Sequence, residues 1–404
     1  MKTERGYGMK KVWKSMDYSL LLPLVILCVL GVIMVYSASS ILAITRYAKL
    51  NLPSDYFFHK QLLALGIGTV LGLGIIAVIP YQFWRKRIIL LLMMLGSISL
   101  LSLALLLGTK ANGAQAWVFG IQPAEFVKIA IIIVLARFFA RKQETDTSVW
   151  QGSAGTILFI GLIVFLILKQ NDLGTVLLII GIVGIMFLCS GGPINKWIKR
   201  IVLSAIVWIP LLYLVGNLVL KPYQKARFVA FLNPFEDPQG DGFQLVNSFI
   251  GIASGELNGR GLGNSIQKFG YLPEPHTDFI MAIISEELGF IGVAIILISL
   301  LLIIIRALRI AQKCKDPFGS LIAIGIASLF GVQTFVNIGG MSGLMPLTGV
   351  PLPFVSYGGS SLMANLFAMG ILLNLGSYVK RREKQQKEIY EKKQQGEPHL
   401  VVVK

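Results

Sequence analysis

From Pro317 to Val379 the chain runs for 63 residues without one Asp, Glu, Lys or Arg. An apolar helix needs about 20 residues to cross a hydrocarbon core of ~30 Å. This stretch therefore holds two crossings and the turn between them. The same reading applies to Tyr18–Thr45, Gln61–Trp84, Ile88–Thr109, Thr147–Leu168, Leu173–Asn195 and Ile201–Leu220, each free of charged residues. Two more crossings carry charges inside them, near Ile121–Ala140 and Phe279–Ile305. The expectation is an all-α polytopic membrane protein with about ten transmembrane helices. Charged residues make up 14% of the chain, where a soluble domain carries roughly twice that.

The net charge of +17 invites a nucleic-acid reading, but its distribution opposes it. With Met1 placed inside, the inner segments hold 26 of the 37 Lys and Arg. That asymmetry is the positive-inside bias and puts both termini in the cytoplasm. The basic charge then serves topology and the anionic inner leaflet, not nucleic acid. Cys28, Cys189 and Cys314 are too few and too scattered for a disulfide framework.

Most connections are short, with one large extracytoplasmic loop, 221–277, between the seventh and eighth crossings. Within it Phe243–Ile252 reads as a short apolar helix lying in the interface, and Gly251–Gly263 as glycine-rich loop. A single membrane domain over 1–379 is followed by a basic tail, 380–404. The tail reads as a solvated cytoplasmic extension of weak helical character, with docking of cytoplasmic partners as the alternative.

His59, His276 and His399 are too dispersed for a histidine-rich metal site, and no P-loop or nucleophile elbow is present. Polar groups gather instead at the outer ends of the crossings. Glu125 and Lys128 are three apart and share a helix face. They either pin neighbouring helices or line a polar cavity. Asp172 is placed to cap the sixth crossing. Asp278 starts the eighth, where a carboxylate is either an N-cap or a general base lifted by partial desolvation. Glu286 and Glu287 follow two turns deeper, and at least one must face protein. The glycine- and proline-rich run from Asn337 to Ser361 cannot continue a helix. It must be buried in protein or line a cavity.

These blocks together resemble the SEDS family (shape, elongation, division and sporulation). The resemblance spans Asp17 to about Val379. It is carried most specifically by Pro346-Leu-Thr-Gly-Val-Pro-Leu-Pro-Phe-Val-Ser-Tyr-Gly-Gly-Ser-Ser361. Leu272-Pro-Glu-Pro-His-Thr-Asp278, Glu286-Glu-Leu-Gly289 and Phe231-Leu-Asn-Pro-Phe-Glu-Asp-Pro-Gln-Gly-Asp-Gly-Phe-Gln244 add to it. Asn112-Gly-Ala-Gln-Ala-Trp117 lacks an arginine common in the family, and Asn171 stands where the family usually has proline. The variant Gln-Ala-Trp segment and basic tail are more similar to the division-type branch of a Gram-positive bacterium than to the elongation branch.

The resemblance implies a peptidoglycan glycosyltransferase that polymerises lipid II at the outer face of the cytoplasmic membrane, at the division septum. It also implies a class B penicillin-binding protein transpeptidase as partner, alongside other divisome proteins. The family's essential aspartate falls on Asp278, which tips that residue toward catalysis. One inverting displacement needs one base and a way to neutralise the leaving pyrophosphate. Lys128, Arg227, Arg260 and Lys268 are the candidate cations, in falling order, with a divalent ion such as Mg2+ or Mn2+ as a further means. Glu125, His276, Thr277, Ser356, Tyr357 and Ser360 complete the expected substrate contacts. The rival reading is a lipid II flippase, which would want polar groups through the midplane. A scaffold that only recruits the transpeptidase would leave Asp278 unexplained.

Overall fold

The computed structural model describes residues 17–45, 53–111, 114–192, 199, 222–240 and 242–394. Nine of the ten expected crossings fall there as helices; the seventh, Ile201–Leu220, lies outside the described residues. The crossings are α1 (Tyr18–Thr45), α2 (Tyr56–Gly68), α3 (Arg87–Leu107), α4 (Pro123–Thr145), α5 (Ala154–Lys169) and α6 (Leu173–Leu188). After two loop helices, α7 (Pro222–Leu232) and α8 (Phe243–Ser254), come α9 (Ile280–Lys313), α10 (Pro317–Met341) and α11 (Gly359–Gln394).

These helices are apolar on every side, as a lipid-facing bundle requires. In α1 the stripe Leu20, Leu24, Leu27, Gly31, Met34, Val35, Ala38 and Leu42 is buried at helical spacing. Its opposite face, with Leu22, Val25, Val29 and Ile33, is just as apolar and exposed. α10 packs between α4 and α9, α1 packs on α9, and α11 packs on α2 and α4. α2 continues into a π-helical segment, Thr69–Ile76, where Gly72 lets the chain press against α11. A methyl group on Gly72 would stand 2.5 Å from the Leu366 carbonyl oxygen. α11 runs unbroken into the basic tail as far as Gln394.

Two features go beyond the sequence reading. A two-stranded hairpin, β1 (Thr109–Ala111) with β2 (Ala114–Trp117), joins α3 to α4. Gln115 N donates to the Gln170 carbonyl at 3.0 Å, tying the hairpin to the end of α5. The second is α8. It forms where the apolar run stands, and it packs along α9. Methyl groups placed on Gly251, Gly255 and Gly259 would meet Ala282, Ser285 and Glu287 in turn. The segment therefore runs beside α9 in the same direction. The cause is composition: small residues allow the approach, and Leu245, Asn247 and Ser248 are buried by it.

The turn after α8 is spliced into α9. Gly289 leaves the helical path at φ 64 and ψ −164. Phe290 N donates to Glu256 O at 2.9 Å and Ile291 N to Leu257 O at 3.3 Å. The freed carbonyls of Glu286 and Glu287 accept from Arg260 N at 2.8 Å and Gly261 N at 3.0 Å. A helix break at the buried Gly289 thus keeps its backbone groups paired.

Candidate active site at the head of α9

Asp278 lies two residues ahead of α9, partly buried. Its backbone is fixed: Asn337 Nδ2 donates to the Asp278 carbonyl at 2.9 Å and to the Val350 carbonyl at 2.8 Å. Its carboxylate accepts no hydrogen bond among the described residues. Gly349, at φ +73, lines the space beside it; a methyl there would stand 3.3 Å from Asp278 Oδ2. Desolvation lifts the carboxyl from its ordinary 3.8 to about 7. Glu274 and Asp172 push in the same direction, while Arg227 opposes them. Such a group is poised to exchange a proton near neutral pH.

Asp172 is the N-cap of α6, the role its sequence context favours. Its Oδ1 accepts from Thr175 N at 2.9 Å, and its Oδ2 accepts from Thr175 Oγ1 at 2.8 Å. The same Oδ2 accepts from Gln122 Nε2 at 3.1 Å. Gln122 immediately precedes α4, about one turn ahead of Glu125 and nearly two ahead of Lys128. Those two form an ion pair at 2.9 Å and are 3% and 1% exposed. Among the described residues neither Glu125 Oε2 nor Lys128 Nζ has a hydrogen-bond partner beyond that pair. A buried pair left otherwise bare is costly unless something polar faces it. Asp172 thus connects the start of α4 to the surroundings of Asp278.

The run between α10 and α11 forms the other wall. Three amide side chains satisfy its irregular backbone: Asn337 at Val350, Gln333 at Pro351 (2.8 Å) and Gln61 at Ser356 (3.1 Å). Leu352, Phe354 and Val355 are buried in protein, so this part is packed interior rather than open cavity. Tyr357 N donates to the His276 carbonyl at 2.8 Å, joining this wall to the approach to Asp278. The His276 ring is 2% exposed and packs against Phe57 and Tyr357, with centroids 4.7 and 5.2 Å away.

Not every predicted contact is free to meet a substrate. Lys268 is 3% exposed, and its ammonium donates to Gly263 O (2.6 Å), Glu287 Oε1 (2.9 Å) and Ser37 Oγ (3.2 Å). All three protons are used, so Lys268 docks the loop and the substrate role is withdrawn. Arg260 donates to Glu286 Oε1 at 3.3 Å and belongs to the same docking. Ser356 Oγ accepts from Leu352 N at 2.8 Å, and Ser360 Oγ from Gln122 N at 2.9 Å. Both serines are buried and order backbone. Thr277 Oγ1 donates to Glu274 O at 3.2 Å and stands 3.3 Å from Glu274 Oε2. Arg227 Nη1 donates to Leu347 O at 3.2 Å and is the cation the fold brings toward Asp278.

Both glutamates of the deeper pair are fully buried. Glu286 accepts from Ser265 Oγ (2.5 Å) and Ile266 N (2.9 Å), and Glu287 from Ser37 Oγ (2.7 Å). Reading the sequence overlooked Glu274, Gln122 and Asn337 as parts of the site. Asn337 left a signal: an amide within an uncharged crossing needs a partner. Among the described residues no group of three or more His, Cys, Asp or Glu could hold a metal. A hard cation beside Asp278 and Glu274 would need its other ligands from substrate oxygens and water.

Comparison with known proteins places this geometry. The family model FTSW_RODA_SPOVE, described as cell cycle protein, matches residues 18–381. The probable peptidoglycan glycosyltransferase FtsW of Bacillus subtilis (strain 168) is 44% identical over 391 residues, covering 94% of this chain and 95% of that one. Stage V sporulation protein E of the same organism is 40% identical over 369 residues, covering 90% and 98%. Among solved structures, a chain of a peptidoglycan synthase complex that coordinates polymerization and crosslinking superposes with a TM-score of 0.70. It is 27% identical and covers 90% of this chain and 98% of that one. The Thermus thermophilus rod shape determining protein RodA gives a TM-score of 0.61 at 26% identity, covering 90% and 97%.

Proposed function

The chain belongs to the FtsW/RodA/SpoVE family of cell cycle proteins, and from that membership we propose that it is a peptidoglycan glycosyltransferase polymerising lipid II, with Asp278 as general base. The observation that carries the assignment of the base is the Asp278 carboxyl itself: raised to about 7, with its backbone clamped and its oxygens unpartnered among the described residues.

In the proposed reaction Asp278 takes the proton of the acceptor's GlcNAc 4-hydroxyl. That oxygen attacks the anomeric carbon of the donor's MurNAc, and the bond to the lipid pyrophosphate breaks. The α-linked donor yields a β-linked product in one displacement, with no covalent intermediate on the enzyme. Arg227 faces the charge that develops on the leaving pyrophosphate, and Lys128, sealed in its pair with Glu125, would have to leave that pair to contribute. A divalent cation such as Mg2+ or Mn2+ bound with the pyrophosphate would supply further neutralisation.

The multi-pass membrane architecture lets the lipid tail stay in the bilayer while the sugars reach the head of α9. Basic residues concentrated in the inner segments support an outward-facing site and cytoplasmic termini. The likeness to a peptidoglycan synthase complex supports a penicillin-binding protein partner. Relatives named FtsW support a class B partner, divisome assembly and the septum as the place of action. Against a flippase stands the use made of the deeper carboxylates: Glu286 and Glu287 are engaged in loop docking rather than lining a path.

The test is polymerisation of purified lipid II by wild type and Asp278→Asn, each with its class B partner and each shown to be folded. A general base contributes about 10²–10⁴-fold, so the variant should make almost no glycan. Normal strands from Asp278→Asn would overturn the assignment. Absence of strands from both proteins, with lipid II still crossing vesicle bilayers, would favour the flippase.

A further inference from the structure

At the opposite end of α9 the start of α1, the last turns of α9 and the middle of α11 enclose a pocket of about 200 Å³. α9 lines it with Arg306, Arg309 and Lys313, which recur at helical spacing on one face. α11 adds Lys380 and Glu383, and α1 is preceded there by Asp17. Four cations thus meet two carboxylates. Each carboxylate is already engaged: Asp17 Oδ2 by Arg306 Nε at 2.6 Å, and Glu383 Oε1 by Lys313 Nζ at 2.8 Å. Arg309 is exposed and makes no hydrogen bond or ion pair among the described residues. Arg309 therefore gives the pocket a cation that neither of its carboxylates matches. Its floor is Gly376, where a methyl would come 3.1 Å from Ile310 Cδ1 and narrow the space.

The surroundings select the kind of anion. Leu302, one turn before Arg306 on the same face, is 48% exposed. On α1, Tyr18 and Leu22 are 70% and 66% exposed next to Asp17. An apolar surface that leads directly to a cationic pocket matches an amphiphile with a phosphate head and acyl chains. A soluble phosphate would make no use of those side chains. The excess of basic residues in the inner segments puts this end at the cytoplasmic leaflet, where such lipids are abundant.

We propose that this pocket binds the phosphate headgroup of an anionic glycerophospholipid of the inner leaflet, with Arg309 and Lys313 as principal contacts. Asp17 and Glu383 hold Arg306 and Lys313 in place, so the charge is arranged before the lipid arrives.

The experiment is native mass spectrometry of the full-length protein with phosphatidylglycerol, phosphatidylcholine or inorganic phosphate added. Its readout is lipid retention, independent of polymerisation. Wild type should retain phosphatidylglycerol selectively. An Arg309→Gln/Lys313→Gln variant should bind it about thirtyfold more weakly, the worth of two basic groups near an anionic surface. Arg309→Gln alone removes no internal contact among the described residues, and should weaken binding about fivefold even if the double variant unfolds. A Lys384→Gln/Lys387→Gln control, on the exposed continuation of α11, should bind as wild type. Unchanged retention in Arg309→Gln, or equal retention of phosphatidylcholine, overturns the site. Inorganic phosphate that binds as tightly as the lipid overturns the lipid assignment in favour of a soluble phosphate ligand.

Discussion

Asn337 holds Asp278 by its backbone and leaves its carboxylate alone: one amide nitrogen bridges the carbonyls of Asp278 and Val350 at 2.9 and 2.8 Å. The proposed base and the wall beside it are thereby fixed by a single side chain from α10. Asn337→Leu removes the donor from two buried carbonyls, each worth about 1–3 kcal/mol when left unpaired. The expected outcome is a lower melting temperature in detergent and a fall in polymerisation rate. The acid limb of the pH profile should stay where it is, because the carboxylate itself is untouched.

That acid limb is the second prediction. With the Asp278 carboxyl at about 7, polymerisation should rise as pH increases through that value and level off above it. Stability should move the other way. The folded protein holds a proton that the unfolded chain releases near 3.8, so wild type loses stability as pH rises from about 4 to about 7. Asp278→Asn should lack that decline and melt higher than wild type at pH 8. Melting curves across pH, set beside rates, check both signs.

Lys268 separates docking from chemistry. Its pairing with Glu287 is sealed, with exposures of 3% and 0%. Removing one partner of such a pair costs about 3–5 kcal/mol. Lys268→Ala should expose the loop between α8 and α9 to limited proteolysis and lower the melting temperature. Protein that remains folded should still bind lipid II. A variant of full stability that fails only in substrate binding would return Lys268 to the substrate.

Two glycines should respond in opposite ways to alanine. At Gly289, φ is +64 and a methyl would lie 2.3 Å from Gly259 N, so Gly289→Ala should undo the splice and destabilise strongly. At Gly184, within α6, nothing lies within 4 Å of the added methyl. Gly184→Ala should be neutral or stabilise by up to about 1 kcal/mol. Thermal unfolding of the two variants side by side makes the comparison.

Much of the architecture is legible before any coordinates, because a bilayer imposes one length and one polarity on each crossing. Tyr18–Thr45 matches its predicted limits for that reason. The cap at Asp172 and the pair Glu125–Lys128 are local, one turn each, and spacing alone brings them together. The partners of Lys268 and Glu287 were not legible. Ser37 reaches Glu287 from 250 residues away, and nothing local marks it. The hairpin Thr109–Trp117 was missed because its strands are three and four residues long. The packing of α8 on α9 was not legible, because amphipathic composition suits a membrane surface as well as a small-residue helix contact.

The splice at Gly289 bears on the order in which the protein is made. Residues 256–261 leave the ribosome before residues 286–291, whose hydrogen bonds they complete. The partner is therefore already present when the broken helix enters the membrane, and the defect need never face lipid bare. A circular permutant that placed α9 ahead of the loop would reverse that order. It should insert poorly although every final contact remained available, and insertion as efficient as wild type would show that the earlier segment is not required as a template.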